Sequence, residues 1–527
     1  MVLSKKYLRL GHLSKRAAKI QIPYKAMTIL AVSPAAFPSD LAYLDLEIGI
    51  PRIKQCGLLQ QSDVEAIKAI PKKKPIALMI RIFRALRRAA VLTCLSAPVV
   101  VLLPLTYGFR RWYPSLEDAL WDYILWAVEK SGPTLIKLAQ WASTREDLFP
   151  AALTYRFTKL QDSTKPHSWE ETEKKLTKAY GENWQSIIEI EDRVPIGSGC
   201  IAQVYKGRLV AENQDVAIKI LHPNIRDKVE ADVDLMQMWS TLLEMIPRMK
   251  YLSIKDTLGE FHAMLTNQMD LRVEEYNLER LNEDFKDDKF VVFPKPFPNL
   301  SKEDILVETF IYGKPILKYI KADEEVKKKI CDIGAKAIYE MSFVHNFMHG
   351  DLHPGNILVV EDSTEKGKHK MCFLDAGIVV ELSAEDHRNM IRILGAFIMR
   401  DGVKAGKLMV DQSKSNDCLN VDAFSEGMQG LVVQSVDDRF FDNVGNYYTL
   451  IMSLACSYQV KLESKFMAVA MATKIMEGIV MDLNPDIDMV TTGIPFLLKS
   501  QMKYGLWKEV LQLKEVYKNV LDNYKLS

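Results

Sequence analysis

The chain has 527 residues, and its 69 Lys and Arg against 68 Asp and Glu leave a formal charge of only +1 at pH 7. This balance argues against a generally basic nucleic-acid-binding protein, so we expect no nucleic-acid partner, and a hydrophobic content of 48% excludes a disordered or collagen-like chain. The 7 cysteines are spread singly, without a C-x-x-C pair, which argues against a structural zinc site and against a secreted disulfide framework.

The N-terminal segment is basic and contains no acidic residue before Asp40. Leucine and isoleucine residues are interspersed among the Lys and Arg residues, a partly amphipathic composition that is typical of mitochondrial transit peptides. We therefore predict a transit peptide over residues 1–39, with a solvated basic tail as the alternative. Residues 40–88 are assigned to a linker.

A charge-free apolar run extends from Ala89 to Phe109, with arginines on both sides. Because about 20 apolar residues can cross a bilayer core, the run predicts a transmembrane helix over residues 89–109. A buried or interfacial hydrophobic hairpin of a soluble protein is the alternative. Since both flanks are basic, the positive-inside rule gives the helix no orientation.

The remaining chain changes its hydrophobic period twice. Residues 115–185 have the helical period, the period changes to two at about residue 191, and most of the chain after residue 325 is helical in pattern again. Strands first and helices later predict an α+β fold. We expect a small sheet-bearing lobe over residues 191–313 and a mostly helical lobe over residues 314–527.

Four short segments carry the chemistry, and the first is a glycine-rich loop. It approximates the pattern G-x-G-x-x-G-x-V, in which glycines let the backbone pass close to phosphate groups. An alanine stands at the position of the third glycine, and a segment of this kind, taken alone, is more often a plain turn. The candidate nucleotide-binding residues of the loop are Ile196, Gly197, Ser198, Gly199, Cys200, Ile201, Ala202, Gln203 and Val204.

The second segment, over residues 216–219, reads V-A-I-K and ends at Lys219, as does a strand of protein kinases. A Lys at the end of an apolar strand is costly to bury without a partner, and phosphate oxygens together with a carboxylate would supply one. The alternative is a Lys whose ammonium reaches solvent from the strand end.

The third and fourth segments supply a candidate base and candidate metal ligands. Residues 349–356 place Asp351 and Asn356 five positions apart, as in the kinase loop H-R-D-L-x-x-x-N. Asp375 follows an apolar strand and precedes Ala-Gly, where kinases have D-F-G. Polar turns could explain each segment alone. The order and spacing of all four predict a phosphoryl-transfer site that uses ATP and Mg²⁺, in a bilobal fold like that of protein kinases.

Two more positions belong to this expectation. A carboxylate partner for Lys219 should lie on a helix between the strands, where Glu274 and Glu275 are both available. The segment that begins at Glu308 would form the hinge between the lobes, where backbone groups meet adenine.

With these motifs the chain resembles the UbiB family of atypical kinases, or aarF-domain kinases, over about residues 115–490. Residues 349–356 are close to the family's H-x-D-x-H-P-G-N, residues 132–140 resemble its K-x-G-Q helix, and residues 477–485 resemble its E-G…L-x-P stretch. The resemblance selects Glu274 as the partner of Lys219. It also implies that residues 115–185 form an N-terminal helical extension that lies over the substrate site.

Two family motifs are altered in this chain. Ala replaces the Gly of K-x-G-Q at residues 137–140, and Gln268 replaces the Glu of E-x-D at residues 268–270. In the family the Lys and the Glu of these motifs pair with each other. The resemblance therefore implies regulatory roles for Lys137, Gln140, Gln268 and Asp270, and a hydrogen bond between Lys137 and Gln268 in place of the ion pair.

The resemblance implies a mitochondrial atypical kinase or ATPase that supports coenzyme Q or lipid metabolism, with an unknown acceptor. Lys219 would contact the phosphates, Asp351 would be the catalytic base, and Asn356 and Asp375 would hold Mg²⁺. The implied location is the mitochondrial inner membrane, with a single pass, and the implied partners are membrane lipid and coenzyme Q pathway proteins or intermediates. A nucleotide-sensing membrane scaffold, a lipid-handling pseudokinase and a protein serine/threonine kinase remain as alternatives.

Overall fold

A computed structural model describes residues 75–109, 115–143, 153, 156–157, 160, 165–244, 254–361, 368–412, 418–437, 450–451, 453–455, 457–460, 483–484 and 489–524. The predicted transit peptide and residues 40–74 of the predicted linker lie outside these ranges.

Three helices lead into the first lobe: α1 (Pro75–Phe109), α2 (Ser115–Ser131) and α3 (Pro133–Ser143). The linker assignment over residues 40–88 does not hold at its C-terminal end, because α1 begins at Pro75 and runs unbroken for 35 residues. By length and composition, its apolar window Leu86–Thr106 could cross a membrane, and only 6% of this window is buried. The predicted segment 89–109 falls within α1.

The smaller lobe is built on an antiparallel sheet of five strands. Helix α4 (Trp169–Tyr180) is followed by the strands β1 (Ile188–Ile190), β2 (Gly197–Ser198), β3 (Ala202–Leu209) and β4 (Gln214–Leu221). Strand β5 (Val291–Val292) belongs to the sheet of the other lobe, and β6 (Ile305–Thr309) completes the sheet of the smaller lobe. The order is β1-β3-β4-β6, with β2 paired to β3. Leu176 of α4 packs with Ile188 and Tyr205 in one apolar cluster. The lobe therefore begins with α4, ahead of the boundary expected at residue 191.

The register of this sheet places the functional side chains on one face. Tyr205 and Ile218 are directly opposite and fully buried beneath α4. Because strand side chains alternate between faces, Val204 and Lys219, which are also directly opposite, lie on the other face. That face looks toward the second lobe.

Three helices follow β4: α5 (Ile225–Glu244), α6 (Ile254–Gln268) and α7 (Leu271–Asp284). The side chain of Asp270 caps α7 by accepting a hydrogen bond from the backbone N–H of Arg272. The buried stripe of α7 has helical spacing and includes the polar residues Glu274 and Asn277 among its leucines. Glu274 therefore faces inward, as the resemblance implies.

An ion pair fixes α1 to the smaller lobe. The Arg88 guanidinium donates to both carboxylate oxygens of Asp232 in α5, with one Nη2–Oδ2 distance of 2.9 Å, and also donates to the Ser131 carbonyl. Because Asp232 is buried, its negative charge would be strongly destabilising without the Arg88 guanidinium.

The larger lobe is mostly helical. Its strands are β7 (Lys314–Pro315), β8 (Met348–His349), β9 (Ile357–Glu361), β10 (His369–Phe373) and β11 (Val379–Val380). One sheet has the order β5-β10-β9-β7, and β8 pairs with β11. The helices are α8 (Glu324–Tyr339), α9 (Ala384–Ile398), α10 (Gly402–Gln412), α11 (Val421–Asp437), α12 (Met489–Lys503) and α13 (Trp507–Tyr524). The predicted α+β architecture of two lobes, preceded by a helical extension, is confirmed.

Candidate active site

Lys219 is the centre of a compact charge cluster between the lobes. Its Nζ lies 2.8 Å from both carboxylate oxygens of Glu274 and 3.0 Å from Oδ2 of Asp375. These three residues come from β4, α7 and the loop after β10, so the fold joins segments that are distant in the sequence. The structure thus brings the V-A-I-K lysine, the helix glutamate and the D-A-G aspartate together.

The charges in this cluster shift one another's pKa values. Burial alone would lower the pKa of Lys219, but Asp375 and Glu274 more than offset it and raise that pKa well above its ordinary value. Burial raises the pKa of Glu274 to about 7 even though Lys219 acts in the opposite direction. Burial also opposes ionisation of Asp375, yet the nearby lysines hold its pKa far below the usual range. Asp375 is therefore the carboxylate of this cluster that stays ionised, and it is a stronger candidate than Glu274 to bind a metal cation.

The loop after β8 holds Asp351 and Asn356 in a fixed relation. The Asn356 side-chain amide donates to the Asp351 carbonyl at 3.1 Å, and the Asn356 carbonyl accepts from the Leu374 backbone N–H at 2.8 Å. His349, which is fully buried, bonds to the Leu374 carbonyl through Nε2 at 2.8 Å and accepts from the Asp351 N–H through Nδ1 at 3.2 Å. This imidazole therefore ties the Asp351 loop to the segment that precedes Asp375.

Asp375 has a backbone conformation that non-glycine residues seldom adopt. Its φ is +53°, in the left-handed region, and its Oδ1 accepts from the Gly377 N–H at 3.2 Å. Such conformations cluster at functional sites, where the surrounding structure enforces them. A Cβ added at Gly377 would meet Asp375 Oδ1 at 3.1 Å, which accounts for glycine at that position.

The glycine-rich loop forms the turn between β2 and β3. The Gly199 N–H donates to the Ala202 carbonyl at 2.9 Å, and a Cβ added at Gly197 would meet nothing within 4 Å, which leaves room beside this backbone for a phosphate group. The Ser198 hydroxyl is buried and has no hydrogen-bond partner among the described residues, so it is available to a ligand. Ile196 at the start of the loop is exposed.

Not every residue of that loop faces the cleft. Gln203 is fully buried on the opposite face of β3, where its side-chain amide bonds to the Tyr205 hydroxyl and to the backbone of His167. Ile201 and Ala202 pack in the hydrophobic core. The Gln203 side chain therefore lies toward α4, because side chains alternate between the faces of β3, and contact of Gln203 with nucleotide stays a prediction that only its backbone could fulfil.

The candidate metal ligands suit magnesium on chemical grounds. Within the described ranges there is no group of three or more His, Cys, Asp or Glu that could hold a metal ion by itself. Magnesium is usually bound by one or two side-chain oxygens together with substrate phosphates and water. The carboxylate of Asp375 and the amide oxygen of Asn356 fit such a shared site.

Comparisons with known proteins identify the family of this chain. The model of the ABC1 atypical kinase-like domain matches residues 159–409. The ABC1 family protein YPL109C, mitochondrial, of Saccharomyces cerevisiae is 32% identical over 458 residues, which cover 73% of this chain and 68% of the relative. This chain belongs to the ABC1 family.

Two further similarities are more distant. A probable protein kinase UbiB of Vibrio vulnificus is 28% identical to this ABC1 family member over 386 residues, covering 72% of this chain and 70% of the relative. The solved structure of the complex of Rv3197 and erythromycin from Mycobacterium tuberculosis is 20% identical, covers 70% of this chain and 93% of that chain, and has a TM-score of 0.45.

The lysine of the altered family motif has an unexpected partner. Nζ of Lys137, in α3, lies 3.2 Å from Oδ2 of Asp351, and the expected hydrogen bond between Lys137 and Gln268 is not among the described contacts. Oε1 of Gln268 is buried without a hydrogen-bond partner in the described part of the chain. Burial opposes the charge of both members of the new pair, yet each partner favours the charge of the other, so the pKa of Lys137 is raised and that of Asp351 is lowered.

The other residues expected to be regulatory make local contacts. The Gln140 amide donates to the Leu160 carbonyl at 2.8 Å. Asp270 caps α7 and accepts from the Arg272 guanidinium at 2.7 Å. These two side chains position α3 and α7, whereas Lys137 reaches the candidate catalytic residue.

Polar side chains support the site, and sequence reasoning missed the two histidines among them. Nε2 of His222 lies 2.8 Å from the Gly199 carbonyl, and its Nδ1 lies 2.7 Å from Nδ1 of His167. The amide of Asn277 donates to the Ala376 carbonyl at 2.8 Å. The sequence gives no signal for the two histidines. Asn277 stands at the position that the family resemblance implies, and it lies about one helical turn after Glu274 on the same buried face of α7.

Proposed function

We propose that this protein is a mitochondrial atypical kinase or ATPase that binds Mg–ATP and supports coenzyme Q or lipid metabolism. The observation that carries the proposal is the contact of Lys219 with both Glu274 and Asp375, in the cleft that also holds Asp351 and Asn356. Phosphoryl transfer depends mostly on positioning and on electrostatic stabilisation, and this cluster supplies both.

Each residue has a role that its geometry supports. Lys219, held by Glu274, would contact phosphate oxygens as a fixed cation, while the turn between β2 and β3 covers the phosphates. Asp375 and Asn356 would hold Mg²⁺, which neutralises charge on the phosphates when it is bound. Asp351 would accept the proton of the attacking hydroxyl or water, and its lowered pKa keeps it ionised for this task at neutral pH.

The contact between Lys137 and Asp351 bears on the acceptor. An acceptor hydroxyl must reach a carboxylate oxygen of Asp351, and Lys137 already occupies one of them. A small acceptor, such as water or the hydroxyl of a lipid-like molecule, needs less displacement of α3 than a folded protein substrate. This favours an ATPase or small-molecule kinase over a protein serine/threonine kinase.

The same contact favours one alternative, a nucleotide-sensing membrane scaffold. If Lys137 stays on Asp351 when nucleotide is bound, the site would bind Mg–ATP without turnover. Helix α1, with its exposed apolar window, would attach either kind of protein to membrane lipid. The mitochondrial relative supports placement in mitochondria, and we propose a single pass in the inner membrane and partners among coenzyme Q pathway proteins or intermediates.

The test is Mg²⁺-dependent ATP hydrolysis by the full-length protein in detergent, with and without cardiolipin and phenolic compounds. Wild type should hydrolyse ATP, and Lys219→Ala and Asp375→Asn should lose activity through weakened Mg–ATP binding. Tight Mg²⁺-dependent binding without turnover under every condition would favour the scaffold. Absence of nucleotide binding would contradict both functions.

A further inference from the structure

His353 caps the short turn that carries Asn356. Residues Pro354–Asn356 form a single 3₁₀ turn before β9, and His353 is the residue that precedes it. Nδ1 of His353 accepts a hydrogen bond from the Gly355 backbone N–H at 3.2 Å, and the His353 carbonyl accepts from the Asn356 N–H at 2.9 Å. Because a proline has no N–H, His353 binds both backbone donors of this turn.

The backbone at Gly355 leaves room for the imidazole. A Cβ added at Gly355 would meet Nδ1 and Cε1 of His353 at 3.0 Å, which is closer than ordinary van der Waals contact. Glycine therefore allows the ring to lie against the turn. Since Nδ1 accepts the Gly355 N–H, Nδ1 carries no proton, and in the neutral ring the proton is on Nε2.

The turn determines where the side-chain oxygen of Asn356 lies. Nδ2 of Asn356 donates to the Asp351 carbonyl at 3.1 Å, and the Asn356 carbonyl accepts from the Leu374 N–H at 2.8 Å. With Nδ2 held in this way, Oδ1 is the end of the amide that is available to a metal ion. The backbone that carries this amide is held on one side by Leu374 and on the other side by His353.

We propose that His353 is a positioning residue for the candidate magnesium ligand Asn356. By capping the turn, Nδ1 of His353 fixes the position of the Asn356 Oδ1 and so raises the affinity of the cleft for Mg²⁺. This inference rests on the proposed function, because it concerns the Mg²⁺ site of the same cleft.

A second effect of the imidazole decides which readout is useful. Burial raises the pKa of Asp351, whereas Lys137 and then His353 lower it. Loss of the ring would therefore alter hydrolysis through Asp351 as well as through Asn356. Binding of nucleotide and Mg²⁺ isolates the effect on Asn356, because Asp351 is assigned to proton transfer and not to the metal.

Two substitutions place a different atom at the position of Nδ1. Asn has Oδ1 there, which accepts a hydrogen bond and is favoured in caps, so His353→Asn keeps the cap and loses the rest of the ring. Leu has a methyl group there, so His353→Leu has a similar shape and loses the cap. His369→Leu is the matched control, because His369 is a partly buried histidine at the end of β10 that is farther from Asp375.

The experiment is binding of a fluorescent ATP analogue to the full-length protein in detergent, in EDTA and over a series of Mg²⁺ concentrations. Mg²⁺ should tighten binding to wild type. His353→Leu should need about fivefold more Mg²⁺ for half of this effect, as expected for the loss of one hydrogen bond, and its affinity in EDTA should be unchanged. His353→Asn and His369→Leu should stay within about twofold of wild type.

Hydrogen exchange of the nucleotide-free protein tests the cap without metal or activity. The Gly355 N–H loses its acceptor in His353→Leu, so exchange in a peptide that covers residues 352–358 should be faster than in wild type. The same peptide in His353→Asn should exchange at nearly the wild-type rate, since the cap is retained.

The outcomes separate this assignment from the proposed function. An unchanged Mg²⁺ requirement or unchanged exchange in His353→Leu, or equal effects of the Asn and Leu substitutions, would overturn the assignment and leave the proposed function intact. Equal weakening of binding in EDTA and in Mg²⁺ would also overturn it, because it would indicate a general structural effect. If wild type does not bind the analogue in either condition, the proposed function itself fails, and the assignment fails with it.

Discussion

In the described cleft the carboxylates outnumber the lysines that contact them, and this imbalance affects the pKa of each carboxylate. Lys219 serves Glu274 and Asp375 at once, while Lys137 serves Asp351. Ionisation of Asp375 and Asp351 is favoured, and that of Glu274 is not, since its pKa is raised to about 7. Each cation therefore has a measurable effect on the pH dependence of the protein.

Replacing Lys219 with Met should destabilise the protein most at high pH. The change leaves Glu274 buried beside Asp375 without its cation, and breaking a buried pair costs about 3–5 kcal/mol. The pKa of Glu274, already raised to about 7, should rise further. Below that pKa the folded state binds a proton that the unfolded state, with a carboxyl pKa of about 4.3, does not bind, so stability should return as pH falls.

Urea unfolding of Lys219→Met and wild type at about pH 8 and about pH 5.5 measures this effect. The loss of unfolding free energy in the variant should be larger at the higher pH. Lys295→Met is the control, because it removes a lysine whose side chain is exposed, and it should change stability little at either pH. An equal loss at both pH values in Lys219→Met would contradict the charge assignment.

Replacing Lys137 with Gln should shift the acidic limb of the pH–rate profile. Burial raises the pKa of Asp351 and Lys137 lowers it, so removing the ammonium should raise that pKa. The limb of kcat/KM that reports protonation of Asp351 should then move to higher pH by about one unit. Lys137→Arg keeps the charge and should leave the limb near its wild-type position. An acidic limb that is the same in all three proteins would rule out this pairing in solution.

The sequence carries enough information to predict most of this cluster, but not all of its pairs. Lys219, Asp351, Asn356 and Asp375 stand in short motifs whose spacing is fixed by the turns that hold them. The partner of Lys137 could not be predicted in the same way. It depends on how α3 is seated over the larger lobe, which is a matter of tertiary packing that no local spacing encodes.

At the scale of single elements, a chain of polar contacts links α4 to the glycine-rich loop. Thr172 in α4 contacts Nε2 of His167 at 3.0 Å, His167 contacts His222 at 2.7 Å, and His222 contacts the Gly199 carbonyl at 2.8 Å. Burial lowers the pKa of His222 and lowers that of His167 to about 4, so both rings are neutral at pH 7. Because a carbonyl only accepts, Nε2 of His222 carries the proton.

Replacing His222 with Phe should loosen the loop without changing the chemistry. The Gly199 carbonyl would lose its donor, and one hydrogen bond contributes about 1 kcal/mol, which corresponds to roughly fivefold in affinity. We expect a higher KM for ATP and an unchanged kcat. His262→Phe, on α6 and away from the loop, is the control. A fall in kcat with an unchanged KM would show that His222 does not act through loop position.

The ion pair between α1 and α5 is a second contact whose effect can be tested at the scale of single elements. Asp232→Ala should release the Arg88 guanidinium, at a cost of about 3–5 kcal/mol for the broken buried pair. Hydrogen exchange should accelerate over residues 83–95 of α1 more than in β3 and β4. Uniform acceleration across the smaller lobe would instead indicate that Asp232 stabilises the whole lobe. The double variant Arg88→Met with Asp232→Leu should recover part of the loss, since it removes both charges.

At the scale of the whole molecule, the candidate membrane helix is joined to the lobe that carries the glycine-rich loop and Lys219. Helix α1 carries an exposed apolar window and is joined through Arg88 to α5. Helix α2 packs beside α1, where the Tyr123 hydroxyl donates to the Leu95 carbonyl at 3.1 Å. The composition predicted the apolar segment. It did not predict that this segment is the C-terminal part of the longer helix α1, because the start of that helix depends on tertiary packing.

Charged substitutions in the apolar window should weaken membrane binding and spare nucleotide binding. Val101 and Leu105 are exposed on α1, so Val101→Asp with Leu105→Asp should not disturb the core. Each charge at the centre of a bilayer costs about 2.5–3.5 kcal/mol. Flotation with cardiolipin-containing vesicles should show reduced binding, and Val101→Ala with Leu105→Ala should retain most of it. Equal flotation of all three proteins would argue against α1 as the membrane segment.

The central claim is that the cleft catalyses phosphoryl transfer, and single-turnover hydrolysis of ATP by wild type and Asp351→Asn tests it most directly. Wild type should release phosphate in a Mg²⁺-dependent step, and Asp351→Asn should slow that step by about 10²–10⁴-fold while its Kd for Mg–ATP stays within a few fold of wild type. Equal rates in the two proteins, or a wild type that binds Mg–ATP and never releases phosphate, would contradict the claim.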